Sequence, residues 1–408
     1  MLPNFNVFAY ANKIVSSTIA GMFDYIDMPK GLTQCDWGKE PISTFSTNYN
    51  NLYNFYPHIT ESKASVGHGV IVAPSGGGKT TFVQYLMKGI IEKYKNVDVY
   101  SFDRFNGMSI FTNWIGGRDI NFTNIAINPL QIDISTAENL EFLHNFLTML
   151  AIPENPVEKT SLYEFGNLLS TLDFKDRILK NLVHLISEES LKNKLEIWCT
   201  GKYAKFINAG EDRFNLDDNF LNFQMNEILD DEELSAPIIY YIMFKTRQKA
   251  RNTSRGHFAF IDEAARMVKN PCFQAKIEEL LLEHRKLGGC VWLAFQNPNS
   301  FLKDKNLKEL ILNQCQNQIL FTSDAIKQET LDAFNIHFSI YNEVLTAQKT
   351  NDNPYYILLK RPNENVILNI NLKEKMGENL KFLSSGKDDI NKMKELQEKY
   401  GEKWHEHY

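Results

Sequence analysis

The stretch from Gly69 to Thr80 constrains this chain more than any other. Residues 69–73 (Gly-Val-Ile-Val-Ala) are apolar and branched, as in a strand buried on both faces of a parallel sheet. The run passes through Pro74, Ser75, Gly76, Gly77 and Gly78 into a helical pattern from Lys79 to about Lys95, and residues 97–102 then read as a second strand. Strand, glycine turn, helix and strand in that order predict a right-handed crossover and the α/β class. Residues 73–80 match the phosphate-binding loop, with Ala73 where the strict pattern has glycine. Glycines are needed because successive backbone N–H groups converge on an anion only where no side chain intervenes. Lys79 would set a charge on the β- and γ-phosphates of ATP, Thr80 would ligate Mg²⁺, and the helix would present its positive end. The expected contact surface is Ala73, Pro74, Ser75, Gly76, Gly77, Gly78, Lys79, Thr80 and Thr81.

A second constellation closes the run 257–263 (His-Phe-Ala-Phe-Ile-Asp-Glu), an apolar strand ending in two carboxylates. Taken alone, Asp262 there could simply cap the next helix. Beside a phosphate loop, the chemistry assigns Asp262 to the magnesium shell through water and Glu263 to the general base that polarises the attacking water. Gln296 follows the strand 290–295, where it would sense the γ-phosphate, orient water, or only shape the turn before Pro298. Arg285 is either an arginine finger reaching a neighbouring subunit or an ordinary solvated helix end. Arg247, Arg251 and Arg255 cluster before the acidic strand and are eligible for phosphate or subunit contacts, surface charge being the alternative. Asp103, past the second strand, either approaches the nucleotide or starts a turn. The nine histidines show no zinc-ligand spacing.

Bulk properties narrow the class. With 408 residues, 43% of them apolar, the chain can bury a full core, and a net charge of -6 provides no global field for nucleic acid. Five scattered cysteines read as reduced thiols. The first residues lack an export signal, and the most apolar stretch, 236–244, is far below the roughly 20 residues that span a bilayer. Residues 1–62, rich in Asn, Tyr and Phe with four prolines, read as an irregular lead-in. The core is expected over 63–136 and 214–372, an all-helical insertion over 137–213, and a solvated helical tail over 373–408. Further strands are expected at 221–225, 318–321, 355–360 and 365–371, with a helix over 235–251.

Taken together, these segments resemble the large ATPase of type IV secretion and conjugation systems, the TraC/TrbE class that corresponds to the fourth VirB component. Beyond the nucleotide motifs the resemblance runs through Phe102-Asp103-Arg104, Gly116-Gly117, Ile127-Asn128-Pro129-Leu130, Trp198, Gly201, Tyr203, Ala264, Arg285-Lys286, Gln296, Gln314-Cys315 and Leu383-Ser384-Ser385-Gly386. It spans about 330 residues in shared order. Ala265 departs from the aromatic the family usually has there. The chain is about half the family's length, either a C-terminal piece or a shortened homologue without the N-terminal docking domain.

The resemblance implies a RecA-like P-loop NTPase of the FtsK/HerA branch, with a central, mainly parallel sheet and an all-α insertion. It further implies a hexamer at the cytoplasmic face of the inner membrane. There it would associate through secretion-channel and other ATPase components and energise pilus assembly and transfer of protein or DNA cargo. A shared site would make turnover by this chain alone slow and concentration-dependent. Two other functions remain: a DNA-translocating ATPase or conjugative coupling protein, and a nucleotide-gated scaffold with vestigial hydrolysis.

Overall fold

Apolar runs of four to seven residues, too short for stable helices, become strands of one sheet. The computed structural model describes residues 29–59, 67–122, 124–269, 271–323, 326–350 and 355–408; residues 1–28 and 60–62 of the expected lead-in lie outside the described residues. The strands are β1 (Ser43–Thr47), β2 (Leu52–Phe55), β3 (Gly69–Val72), β4 (Val97–Asp103), β5 (Arg118–Asn121), β6 (Phe220–Gln224), β7 (Gly256–Ile261), β8 (Gly289–Phe295), β9 (Asn317–Phe321), β10 (Tyr356–Arg361) and β11 (Glu364–Asn369). Their order across the sheet is β2-β1-β11-β10-β9-β3-β8-β7-β4-β6-β5. From β9 to β5 every pairing is parallel. The remaining strands are antiparallel.

β3 sits mid-sheet with β8 and β9 on either side, so the loop after it opens at the carboxyl edge, where open α/β sheets bind ligands. Alternation along each strand divides the core. Val70, Val72, Phe102 and Leu293 face one layer, and Ile71, Phe258, Trp292 and Ile319 the other. Helix α1 (Lys79–Lys93) buries Phe82, Val83, Leu86, Met87 and Ile90 in the second layer. A Cβ at Gly89 would lie 2.6 Å from the Ile42 carbonyl oxygen, so glycine there lets α1 and the lead-in touch. Between α2 (Ser109–Trp114) and β6, residues 137–204 form only helical segments, among them α3 (Ala137–Ala151) and α4 (Pro156–Thr171). Thr136 and Asn155 cap these two by accepting from Asn139 N and Glu158 N. The long α5 (Glu232–Thr253) then packs against α3, with Phe142 stacked 3.8 Å from Phe244.

Three expectations change. The described lead-in is not irregular: β1 and β2 extend the sheet, and Phe45, Tyr53, Phe55 and Tyr56 are fully buried. Their partners, including β11 and Trp292, lie far along the chain, which hides the burial from any local period. The tail is not merely solvated: Phe382, Ile390, Met393 and Trp404 form a small core with Ile110 of α2, and Phe382 stacks on Trp114 at 4.8 Å. Its helix α7 (Lys387–Tyr400) buries only Ile390 and Met393, a stripe too thin to stand out among its charges. β5 also escaped the reading, because its residues Arg-Asp-Ile-Asn form a polar edge strand.

Candidate phosphate-binding site

The loop after β3 keeps its shape through its own backbone. Ala73 N donates to Phe295 O at 3.1 Å, which fixes the exit from the strand to the end of β8, and Gly77 N donates to Pro74 O at 3.1 Å. Gly76 and Gly78 have φ of 74° and 84°, a region that side chains resist. Lys79 is buried at the start of α1, while Thr80 and Thr81 are half-buried. Gly107 lies against Thr80, Asp103 and Ser385, so an added Cβ would come within 3.7 Å of Thr80 Cγ2 and 3.6 Å of Asp103 Oδ1.

Lys79 reaches across the end of β8 to the carboxylate of Asp262, and the two form an ion pair. Asp262 N is fixed by Phe102 O at 3.0 Å, which aligns the end of β7 with that of β4. Glu263 adopts φ 56° and ψ 38°, unusual for a non-glycine residue and costing roughly 1–2 kcal/mol. That turn aims its side chain along the carboxyl edge, where Gln296 Nε2 donates to Glu263 Oε1. The structure thus brings together Lys79, Asp262, Glu263 and Gln296. Asp103 lies behind them, buried, accepting from Met108 N at 2.8 Å. Burial pushes its carboxyl well above the ordinary range, the Met108 amide opposing this and the Asp262 charge adding to it.

Other candidates stand elsewhere. Arg285 lies near the end of α6 (Pro271–Lys286), just before β8, close enough to His58 and His68 to oppose their protonation. That is the amino edge of the sheet, opposite the loop. Arg247 pairs with Glu138 at 2.9 Å and with Glu283, Arg251 pairs with Glu138, and Arg255 holds Asp98 at 2.8 Å. These three serve cohesion within the chain. Arg104, to which no motif in the sequence points as a site residue, places Nη1 3.7 Å from Glu263 Oε2. The signal was available: Arg104 directly follows a strand parallel to the acidic one.

Among the described residues no group of three or more His, Cys, Asp or Glu could hold a metal ion. The Thr80 hydroxyl and Asp262 carboxylate are oxygen donors only, which fits Mg²⁺, an ion that binds one or two protein groups and completes its shell with phosphate and water. From Gly76–Gly78 a cleft of about 770 Å³ runs past Tyr355, Ile370, Leu372 and Leu383. Among the described residues no helix is long and apolar enough to cross a membrane.

No family model matches the chain. It is similar to the type IV secretion system protein VirB4 of Bartonella henselae, 24% identical over 411 residues, which cover 98% of this chain and 51% of that protein. The chain thus spans about half the length of the curated relatives it matches. In fold it is similar to the structure of VirB4 of Thermoanaerobacter pseudethanolicus, with a TM-score of 0.67 and 14% identity over 83% of this chain and 97% of that one. A structure of the plasmid coupling protein TrwB in complex with ADP and Mg²⁺ aligns with a TM-score of 0.50 and 11% identity, over 73% of this chain and 84% of that one.

Proposed function

Because this chain is a homologue of the VirB4 proteins of type IV secretion, with the α/β fold of RecA-like P-loop ATPases, we propose that it hydrolyses ATP with Mg²⁺ and that this powers transfer and pilus assembly by such a system. The observation that carries the reading is the meeting of Lys79 with Asp262, beside Glu263 bound to Gln296, at the ends of neighbouring strands. The loop N–H groups and Lys79 bind the β- and γ-phosphates. Thr80, and Asp262 through water, would hold the ion, which would neutralise charge on those phosphates. Glu263 accepts the proton of the attacking water, and Gln296 fixes the direction of that carboxylate. The ribose and base occupy the cleft toward Tyr355 and Leu372.

Arg285 stands at the edge opposite the site, so a role in hydrolysis would fall on the site of another subunit, as in a head-to-tail ring. The hexamer is what the resemblance implies, and turnover in it would depend on assembly. Its partners are the channel and other ATPase components of the system, and contact with the cytoplasmic face of the inner membrane runs through them. Magnesium-dependent hydrolysis across a concentration series, beside Glu263→Gln, tests the reading. The rate per chain rises with concentration, and the variant loses roughly 10²- to 10⁴-fold. Binding of ATP without turnover at any concentration would mean a nucleotide-gated scaffold. Stimulation by DNA with a steep salt dependence would make DNA the cargo.

A further inference from the structure

Arg104 connects two parts of the chain that the proposed reaction does not otherwise join. Its Nη2 donates to Asp230 Oδ1 at 2.9 Å, and its Nη1 faces Glu263 Oε2 at 3.7 Å. The side chains of Arg104 and Glu263 are each 14% exposed, against 59% for Asp230. With Gln296 hydrogen-bonded to Oε1, both oxygens of Glu263 have a polar neighbour, the second an ion-paired guanidinium rather than a hydrogen-bond donor. The loop bearing Arg104 is strained, since Phe105 and Asn106 have φ of 68° and 60°. Two successive left-handed residues cost roughly 1–2 kcal/mol each and persist only where something holds them. Asn226 does so, its Oδ1 accepting from Phe105 N and its Nδ2 donating to Asn106 Oδ1 at 3.2 Å. The guanidinium of Arg104 lies over the Phe105 ring, 4.2 Å from its centre.

Asn226 and Asp230 belong to one segment, 226–233, which turns from β6 into α5. Three more of its side chains meet the helical insertion. Glu227 pairs with Lys205, Asp231 pairs with Lys202, and Tyr203 Oη donates to Glu233 Oε2 at 3.2 Å. The same segment takes Arg266, three residues past Glu263, whose Nη1 donates to Leu229 O at 2.6 Å. A shift of the insertion that pulls on Lys202 and Lys205 therefore moves the group facing the Glu263 carboxylate.

We propose that Arg104 is a positioning residue for Glu263 and that the 226–233 segment links it to the helical insertion, so that seating of the insertion regulates hydrolysis. The inference rests on Glu263 being the base. A fixed carboxylate direction is what a general base needs, and misplacing it slows the chemical step without weakening nucleotide binding.

The test is steady-state hydrolysis and ATP affinity for the full chain and for Arg104→Ala, Arg104→Lys, Asp230→Asn and the double change Arg104→Ala with Asp230→Asn. Arg104→Ala lowers kcat on the order of tenfold with ATP affinity unchanged, and Arg104→Lys recovers part of the loss. Asp230→Asn loses less and adds little once Arg104 is gone, since Asp230 then keeps only its longer contact with Arg266 Nη1, at 3.6 Å. Lys202→Ala with Lys205→Ala lowers kcat in the parent and has no effect in the Arg104→Ala background. A rise in KM at constant kcat in Arg104→Ala would mean that the guanidinium holds nucleotide and would overturn the proposal, as would full additivity with Asp230→Asn. If Glu263→Gln turned over like the parent, the proposed function itself would fail. If Glu263→Gln were inactive and Arg104→Ala fully active, only the positioning role would.

Discussion

The two edges of the sheet are made by the same strands and obey opposite rules. At the amino edge His58, His68, His257 and His284 are fully buried, and burial pushes their pKa down, to about 4 for His58, about 3 for His68 and His257, and well below the ordinary value for His284. His68 donates to Leu281 O at 2.7 Å and accepts from Val291 N at 2.9 Å, and His257 is hydrogen-bonded to His284. Trp37 stacks on His58 at 5.2 Å and donates to Gly288 O at 2.7 Å, so the lead-in seals this edge. At the carboxyl edge Arg104, Asp262 and Glu263 stay half-exposed, and Gly76, Gly78, Phe105, Asn106 and Glu263 all take positive φ. Neutral, buried rings favour cohesion, whereas strained backbone and accessible charge favour chemistry. The difference teaches that stability and reactivity are drawn from opposite ends of one set of strands.

Trp292→Ala tests that division hardest. Trp292 is fully buried against Gly69, Phe55 and Phe258. Its loss should cost about 3–5 kcal/mol in denaturant unfolding while the folded fraction keeps its ATP affinity. Affinity lost without stability would erase the distinction between the edges.

Acid comes next. A histidine near 6.5 in the unfolded chain and near 4 when folded contributes stability that is full above pH 6.5 and lost as pH falls toward 4. At pH 5 the loss is roughly 2 kcal/mol for each such histidine. Asp103 and Asp119, both raised by burial, gain as pH falls, but they are two groups against four. Unfolding midpoints measured from pH 7.5 to 5 should drop. A flat profile would mean the four rings are not held neutral.

The smallest effect sharpens the other side. Glu263→Gly removes a side chain from a left-handed position and should raise stability by about 1 kcal/mol while abolishing hydrolysis. Equal or lower stability in the unfolding curve would mean that contacts of Glu263 outweigh its strain.

The carboxyl edge was the legible one. Gly76–Gly78, Lys79 and the Asp262-Glu263 pair occupy short contiguous motifs, each at the end of an apolar run, and the two motifs together select the reading that neither gives alone. The amino edge was not, because His58, His68, His257 and His284 are scattered over more than 200 residues and meet only when the sheet forms. β1 carries one apolar residue, Phe45, among Ser and Thr, so nothing local distinguishes it from a loop. The edge on which Arg285 lies follows from order alone once β8 is recognised as parallel: a residue just before a strand cannot share an edge with one just after it.

The outermost strands, β2 and β5, are four residues each. The free side of β2 is already occupied, with Asn54 N donating to Lys30 O at 2.9 Å and Gly31 bridging Asn54. β5 ends the other side with the charged pair Arg118 and Asp119. A sheet terminated in this way offers little template for strand-by-strand growth, the route by which β-rich proteins polymerise into fibres. Contacts between this sheet and any other molecule are therefore left to side chains on helices and loops. Such contacts can be made, broken and remade within a cycle without unravelling the strands that hold the molecule together.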